Sequence, residues 1–267
     1  MDRVASVKRA LLFDLDETLM VEEPAAVAAF EATAQFAASR CKIDPAPLAT
    51  GARLRARELW YAAPTHAYCM RVGISSWEGL WCRFEGDGPD ERALRDWSRT
   101  YRREAWCLAL ADQGVDDVQL AEELAELFGV ERRARHEVFD DVAGALQELA
   151  ESYSIGLLTN GAACLQREKL AASGLGEYFD AVIVSADLGV AKPDASVFER
   201  ALSQLGAESD RAVMVGDSIS KDIDGAVAAG LGAVWVNRGG HGAPTDRGDL
   251  VEISTLDDLP DALDKLG

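Results

Sequence analysis

Residues 10–20 read ALLFDLDETLM. The run Ala10 to Phe13 is apolar, too short for a helix and closed abruptly by Asp14, the pattern of a buried strand that ends in a polar turn. Four further runs share it: Ser154 to Leu158, Ala181 to Val184, Ala212 to Val215 and Ala233 to Val236, bounded by Gly, Asp, Asn or Ser. Between the later strands lie segments of helical period, Asp141 to Glu151, Ala163 to Ser173, Asp194 to Leu205 and Asp222 to Ala229. In the third of these, Pro193 and Asp194 open the helix, Val197, Phe198, Ala201, Leu202 and Leu205 form one face, and Gly206 closes it. Continuous apolar strands alternating with helices predict an α/β fold, a doubly wound parallel (Rossmann-like) sheet covered on both faces.

The alternation stops after Met20 and resumes near residue 138. Between them the pattern is helical throughout, broken at Asp44-Pro45, at Pro64 and from Gly86 to Pro89, which predicts an inserted α-helical domain over 21–137 and an α/β core made of 1–20 and 138–267. Five of the six tryptophans, at 60, 77, 81, 97 and 106, fall in the insertion. Large side chains filling a small helical core account for the clustering; an aromatic wall facing a ligand is the alternative. His66, Tyr68 and Arg71, in the polar stretch Pro64 to Ser76, and the Gly-rich loop Asn237 to Asp249 are candidates for the rim of a site and equally for ordinary surface loops.

Composition narrows the function. The chain holds 27 Lys+Arg against 46 Asp+Glu, a net charge of -19, which excludes a generic nucleic-acid binder because such proteins need a basic footprint to displace phosphate counterions. No span approaches the roughly 20 apolar residues of a membrane helix, and the N-terminus lacks a signal-peptide core. The five cysteines, at 41, 69, 82, 107 and 164, are odd in number and include no C-x-x-C pair, consistent with reduced thiols. A cytoplasmic protein with no membrane and no nucleic-acid partner is expected; oligomeric state is open.

In an open parallel α/β sheet ligands bind beyond the carboxyl ends of the strands. The first strand is followed by Asp14-Leu15-Asp16-Glu17-Thr18 and the second by Thr159-Asn160-Gly161; the third leads to Lys192-Pro193, and the fourth ends in Gly216-Asp217-Ser218, with Asp222 nearby. Carboxylates crowded in this way repel one another and resist desolvation unless a cation joins them. Oxygen donors without thiol or imidazole favour Mg2+ over zinc. Such a site accepts a phosphoryl group: one aspartate can act as nucleophile while a second carboxyl two residues away donates and withdraws a proton.

The sequence resembles the haloacid-dehalogenase (HAD) superfamily, specifically its magnesium-dependent phosphatases with a helical cap inserted after the first strand. FDLDETL resembles that family's first motif, LLTNG its second, Ala191-Lys192-Pro193-Asp194 its third and GDSISKDIDGAVAAG its fourth. The resemblance implies that Asp14 is the nucleophile and Asp16 the general acid and base. Thr159 and Asn160 would hold the phosphoryl oxygens and Lys192 would balance charge. Asp14, the backbone carbonyl of Asp16, Asp217 and Asp222 would hold Mg2+, with Thr18, Gly161 and Ser218 in support. Dehalogenase members lack the second aspartate of the first motif, so Asp16 points to phosphate esters. A small phosphorylated metabolite is the implied partner and hydrolysis of its monoester, through an aspartyl-phosphate, the implied reaction. A sugar phosphomutase is the alternative within the family, and a non-catalytic phospho-acceptor the alternative outside it. One departure is Glu17, where many capped members carry Gly or Asp.

The charge is unevenly spread. Residues 22–136 hold 15 Lys+Arg, 14 of them arginine, against 19 Asp+Glu, whereas the rest holds 12 against 27. An acidic, metal-binding core beneath a nearly balanced, arginine-rich lid is expected, with at least one cap arginine meeting the substrate.

Overall fold

The computed structural model describes residues 9–240, 242 and 250–266. The N-terminal segment, His241 and most of the Gly-rich loop lie outside them. In chain order the elements are β1 (Arg9–Phe13), α1 (Glu23–Arg40), α2 (Pro45–Tyr61), α3 (His66–Val72), α4 (Ser76–Gly79), α5 (Pro89–Ala111), α6 (Val118–Arg133), α7 (Val142–Ser152), β2 (Tyr153–Thr159) and α8 (Ala163–Ser173). They continue as β3 (Ala181–Val184), α9 (Ser185–Leu188), α10 (Ala195–Leu205), β4 (Ala212–Gly216), α11 (Asp224–Ala228), β5 (Gly232–Val236), β6 (Val251–Ile253) and α12 (Leu259–Leu266). Two compact units result: one of residues 1–21, 138–160 and 170–267, the other of 22–137 and 161–169. The segment 161–169, expected in the core, therefore groups with the helical unit.

The strands form one parallel sheet in the order β3-β2-β1-β4-β5-β6. Successive side chains of a strand point to opposite faces, and the core divides accordingly. Leu11, Phe13, Ile155, Leu157, Val213, Val215, Val234 and Val236 pack with Val142, Leu146 and Leu149 of α7 and with Leu259, Ala262 and Leu263 of α12. Ala10, Leu12, Leu158, Ile183, Met214 and Trp235 pack with Val197, Phe198, Ala201 and Leu202 of α10 and with Ala226 of α11. The sheet is thus wound on both faces. β6 carries Glu252 between Val251 and Ile253 and was not legible as a strand; it lies at the sheet edge, where only one side needs a partner.

The chain leaves and re-enters the sheet unit side by side: Met20 and Val138 form an antiparallel bridge, and Phe139 N donates to Leu19 O at 3.1 Å. Just beyond, Asp141 ties three segments together. It accepts two hydrogen bonds from the Arg238 guanidinium at 2.9 and 3.0 Å, one from the Thr255 hydroxyl at 2.7 Å and one from Leu256 N at 2.7 Å. Burial alone would push this carboxyl up, but the Arg238, Thr255 and Leu256 donors hold it below the usual carboxylate value. Asp141→Ala is expected to destabilise the protein by about 2–4 kcal/mol, because it removes the carboxylate partner of Arg238 and the acceptor of two other donors. A urea midpoint within experimental error of the parent would contradict this.

In the helical unit α1 packs on α2 and α6, and α5 packs on the same two helices. Alanines at 25, 26, 29, 34 and 37 line the buried face of α1 and let its neighbours approach. Aromatic groups fill the rest. Phe30, Trp106 and Phe128 meet at ring separations of 4.4–6.3 Å, and Trp60, Trp97 and Tyr101 form a second cluster at 4.6–5.7 Å. Core filling therefore accounts for most of the tryptophan clustering. Asp44 and Asp117 cap α2 and α6 through hydrogen bonds to Ala46 N and Leu120 N.

Many arginines of this unit are engaged inside it. Arg132 is fully buried and paired with Glu22, Lys169 is paired with Glu22 and Glu78, and Arg133 is paired with Glu168. Tyr68 is buried on α3 with its hydroxyl on Glu91, and Arg71 meets Asp90. His66 to Val72 is thus a helix and not a loop.

Candidate active site

Four chain segments that end at the carboxyl edge of the sheet deliver the candidate residues. Asp14 directly follows β1, its N–H continuing the ladder to Val215 O at 3.0 Å. Asp217 directly follows β4, and Asp222 stands in a π-helical turn, Ile219–Ile223, that leads into α11. Such turns recur at functional sites because the wider ring re-aims side chains. Here the Asp222 carboxylate folds back to accept Ser218 N at 2.9 Å. It also lies over Gly216, where a Cβ would come within 2.5 Å of it, so only glycine leaves room at the end of β4.

Oxygens of Asp14, Asp217 and Asp222 all lie within 4.8 Å of one another. Lys192 reaches the same place: its Nζ is 2.6 Å from Asp14 Oδ1, 2.8 Å from Asp222 Oδ1 and 2.6 Å from the carbonyl of Leu158 on β2. Asp14, Lys192 and Asp222 are buried, and Asp217 is half-buried. One ammonium therefore faces three carboxylates.

The electrostatics follow from that count. Burial pushes the Asp14 carboxyl well above its usual value; Lys192 opposes the rise, while Asp222, Asp217 and Asp16 add to it. Asp217 is pushed up to about 7 by burial and then by Asp222, with Lys192 opposing and Glu17 adding. Burial works against the Lys192 ammonium, yet Asp14 and Asp222 outweigh it and hold the group firmly charged. Such a site is short of positive charge. A hard divalent cation is the group that its all-oxygen donor set fits, and no thiol or imidazole stands in the cluster.

The remaining candidates are placed as follows. Asp16 is half-buried, outside the three-carboxylate cluster but near enough to raise the Asp14 carboxyl. Thr159 is buried as the last residue of β2. Asn160 clamps the peptide of Lys192: its Oδ1 accepts Lys192 N at 2.9 Å and its Nδ2 donates to Lys192 O at 3.2 Å. Gly161 has φ +142, which favours glycine, donates to Val72 O at 3.1 Å and falls in the helical unit. Thr18 is fully buried, and its carbonyl accepts two bonds from Arg238 at 2.9 and 3.0 Å.

Two contributions escaped the sequence. Trp235 Nε1 donates to Asp217 O at 2.8 Å and so fixes the backbone of a candidate ligand; the only signal was the single tryptophan outside the insertion, on a strand next to β4. Glu17 holds φ +60, in the left-handed region. A side chain there costs about 1 kcal/mol or more relative to glycine, offset in part by glycine's larger chain entropy. Glu17→Gly is accordingly expected to raise stability by up to about 1 kcal/mol in chemical denaturation; a loss of that size would contradict it.

A sequence profile of haloacid dehalogenase-like hydrolases matches residues 8–230. The chain belongs to this family of hydrolases. The hydrolase is 36% identical over 232 residues to a phosphoserine phosphatase of Thermus thermophilus, an alignment covering 86% of this chain and 89% of the relative. It is 36% identical over 121 residues to the pyrimidine 5'-nucleotidase YjjG of Escherichia coli, covering 45% of this chain and 54% of that one. Among solved structures it is similar to a 2-haloacid dehalogenase from Pseudomonas syringae pv. Tomato DC3000, at 29% identity and TM-score 0.61, covering 97% of this chain and all of the other. The sheet with its helical insertion is the fold of the haloacid dehalogenase-like hydrolases.

Proposed function

We propose that the enzyme hydrolyses a small-molecule phosphate monoester through a phosphorylated Asp14. The observation that carries this is the Asp14–Lys192–Asp222–Asp217 constellation together with a second aspartate, Asp16, two residues beyond the nucleophile. Relatives named for phosphoserine, nucleotide and N-acylneuraminate phosphatase activity support phosphate esters as the substrate class. Asp16 favours that class over a haloacid, since a leaving alkoxide needs a proton and a leaving halide does not.

Asp14, whose ionised form Lys192 favours, attacks phosphorus; the ester P–O bond breaks and Asp16 gives its proton to the departing oxygen. Asp16, now a carboxylate, takes a proton from water, which attacks the same phosphorus, releases inorganic phosphate and restores Asp14. Lys192 already stands 2.6–2.8 Å from three oxygens, so it acts through its charge and by orienting Asp14. Thr159 and Asn160 line the phosphoryl site, and Asn160 also sets the peptide of Lys192. Asp14, the Asp16 carbonyl, Asp217 and Asp222 would hold Mg2+, which when bound supplies positive charge to the phosphoryl oxygens and to the crowded carboxylates. Phosphate release from a panel of phosphorylated metabolites tests the reading. Activity lost in excess chelator and restored by Mg2+ is expected; undiminished turnover in chelator, or isomerisation without phosphate release, would overturn it.

Metal and protons compete here. Because the folded carboxyls of Asp14 and Asp217 titrate above the ordinary 3.8, the metal-free native state binds more protons than the unfolded state between about 4 and about 7. The stability that these two carboxyls contribute without metal is therefore fully present below about pH 4 and lost as pH rises through about 7. Mg2+ should raise the melting temperature little at pH 5 and by about 4 °C or more at pH 8. An equal shift at both pH values would contradict this.

A further inference from the structure

Two thiols outside the acidic cluster form a built pair. Cys82 follows α4 and is fully buried, whereas Cys164 is the second residue of α8 and half-buried. Their sulfurs stand 3.6 Å apart in a hydrogen bond. Between them the chain takes a costly turn: Phe84, buried and bulky, holds φ +51. The backbone N–H groups of Glu85 and Phe84, in that turn, favour the ionised form of Cys164, and that of Phe84 also favours the ionised form of Cys82. The first turn of α8 adds its partial positive charge.

The two sulfurs are consequently unlike. Cys164 is pushed down to about 6 by its hydrogen bond with Cys82 and by the two backbone donors, with burial and the Glu85 carboxylate opposing. Cys82 is held up by burial, by Cys164 and by Glu78, and the Arg102 guanidinium donates to its carbonyl. The half-buried Cys164 is thus the sulfur that ionises more readily, and the fully buried Cys82 the one held as a thiol beside it. The other cysteines lack this arrangement: burial pushes Cys69 up to about 12 and raises Cys107, and Cys41 donates to Ala37 O at 3.5 Å.

We infer that Cys164 and Cys82 are a modification site for hydroperoxides, in which Cys164 is the sulfur attacked first and Cys82 resolves it to a disulfide. The Cys164 thiolate takes the terminal oxygen of the hydroperoxide; the O–O bond breaks, and the other oxygen picks up a proton and leaves as alcohol, or as water from hydrogen peroxide. Cys82 then attacks the sulfenic sulfur, the S–O bond breaks, and the hydroxide leaves as water with the Cys82 proton. The two sulfurs lose two electrons, which the hydroperoxide accepts. The product ties the start of α8 to the loop after α4 within the helical unit. The site is independent of the phosphoryl chemistry.

The test uses the whole protein, one equivalent of hydrogen peroxide, alkylation of the remaining thiols and peptide mapping. A Cys82–Cys164 disulfide, lighter by two hydrogen atoms, is expected as the dominant product, with Cys41, Cys69 and Cys107 fully alkylated. Cys82→Ser should leave Cys164 as a sulfenic acid that a 1,3-diketone captures. Cys164→Ser should slow oxidation at Cys82 by about tenfold or more. The rate in the parent should fall as pH drops through about 6. Equal oxidation of all five cysteines, or a Cys164→Ser variant oxidised at Cys82 as fast as the parent, would overturn the inference. The parent peptide map alone decides if either variant fails to fold.

Discussion

Asp14→Asn is expected to abolish phosphate release, with kcat down by about 10^4-fold or more, while leaving the protein at least as stable as the parent. The first part follows from removing a nucleophile whose product is covalent, a loss that the remaining binding groups cannot replace. The second follows from the charge count. Asp14 is buried among Asp16, Asp217 and Asp222 with one ammonium between them, so its carboxyl sits well above the ordinary value and its ionised form is held against repulsion. An amide of the same shape removes one of the mutually repelling charges and still offers Lys192 an acceptor. Melting curves in metal-free buffer at pH 8 should show an equal or higher midpoint. A variant that lost activity only because it unfolded would show a lower one, and would contradict the role assigned to Asp14.

Lys192→Met should fail in both respects. It removes the single cation from the cluster while keeping the length of the side chain, leaving Asp14, Asp217 and Asp222 uncompensated in a buried site. Breaking a buried pair in this way costs about 3–5 kcal/mol, and the loss of charge facing the phosphoryl group costs about 10^2–10^3 in kcat. The stability deficit has a direction in pH. Without the lysine the folded carboxyls rise still further above their unfolded values, so the deficit is small below about pH 4 and grows as pH rises through neutrality. Urea denaturation at pH 5 and pH 8 without metal measures this; a deficit that shrank as pH rose would refute the charge argument.

The parts of the molecule that sequence made legible are those in which local pattern and chemistry coincide. β1, β2, β3, β4 and β5 are continuous apolar runs because both faces of the sheet are covered, and α10 announces itself through Asp194 at its start, Gly206 at its end and one apolar face. Asp14 and Asp217 were readable because each directly follows such a strand, and Lys192 and Asp222 because they stand in the segments that lead on from β3 and β4. What stayed hidden depends on partners distant in the chain. Arg132 and Lys169 look like surface charges until Glu22 and Glu78, remote in sequence, are seen to meet them in the interior. For the same reason the start of α8, which carries Lys169, belongs to the helical unit although its position after β2 suggested the sheet. The arginine-rich insertion accordingly owes much of its composition to internal pairs. Asn160 likewise needed the fold to reveal that its amide grips the peptide of Lys192. β6 and α3, of three and seven residues, were too short for periodicity to expose.

Catalysis by a covalent aspartyl-phosphate is the central claim, and the direct measurement is rapid acid quenching of the enzyme during turnover of a phosphate monoester, followed by peptide mapping. Phosphate on the peptide that contains Asp14, formed and lost at rates that match turnover and absent from Asp14→Asn, is the predicted result. Steady phosphate release with no phosphorylated Asp14 at any quench time, or with the phosphate on a different residue, would contradict the mechanism.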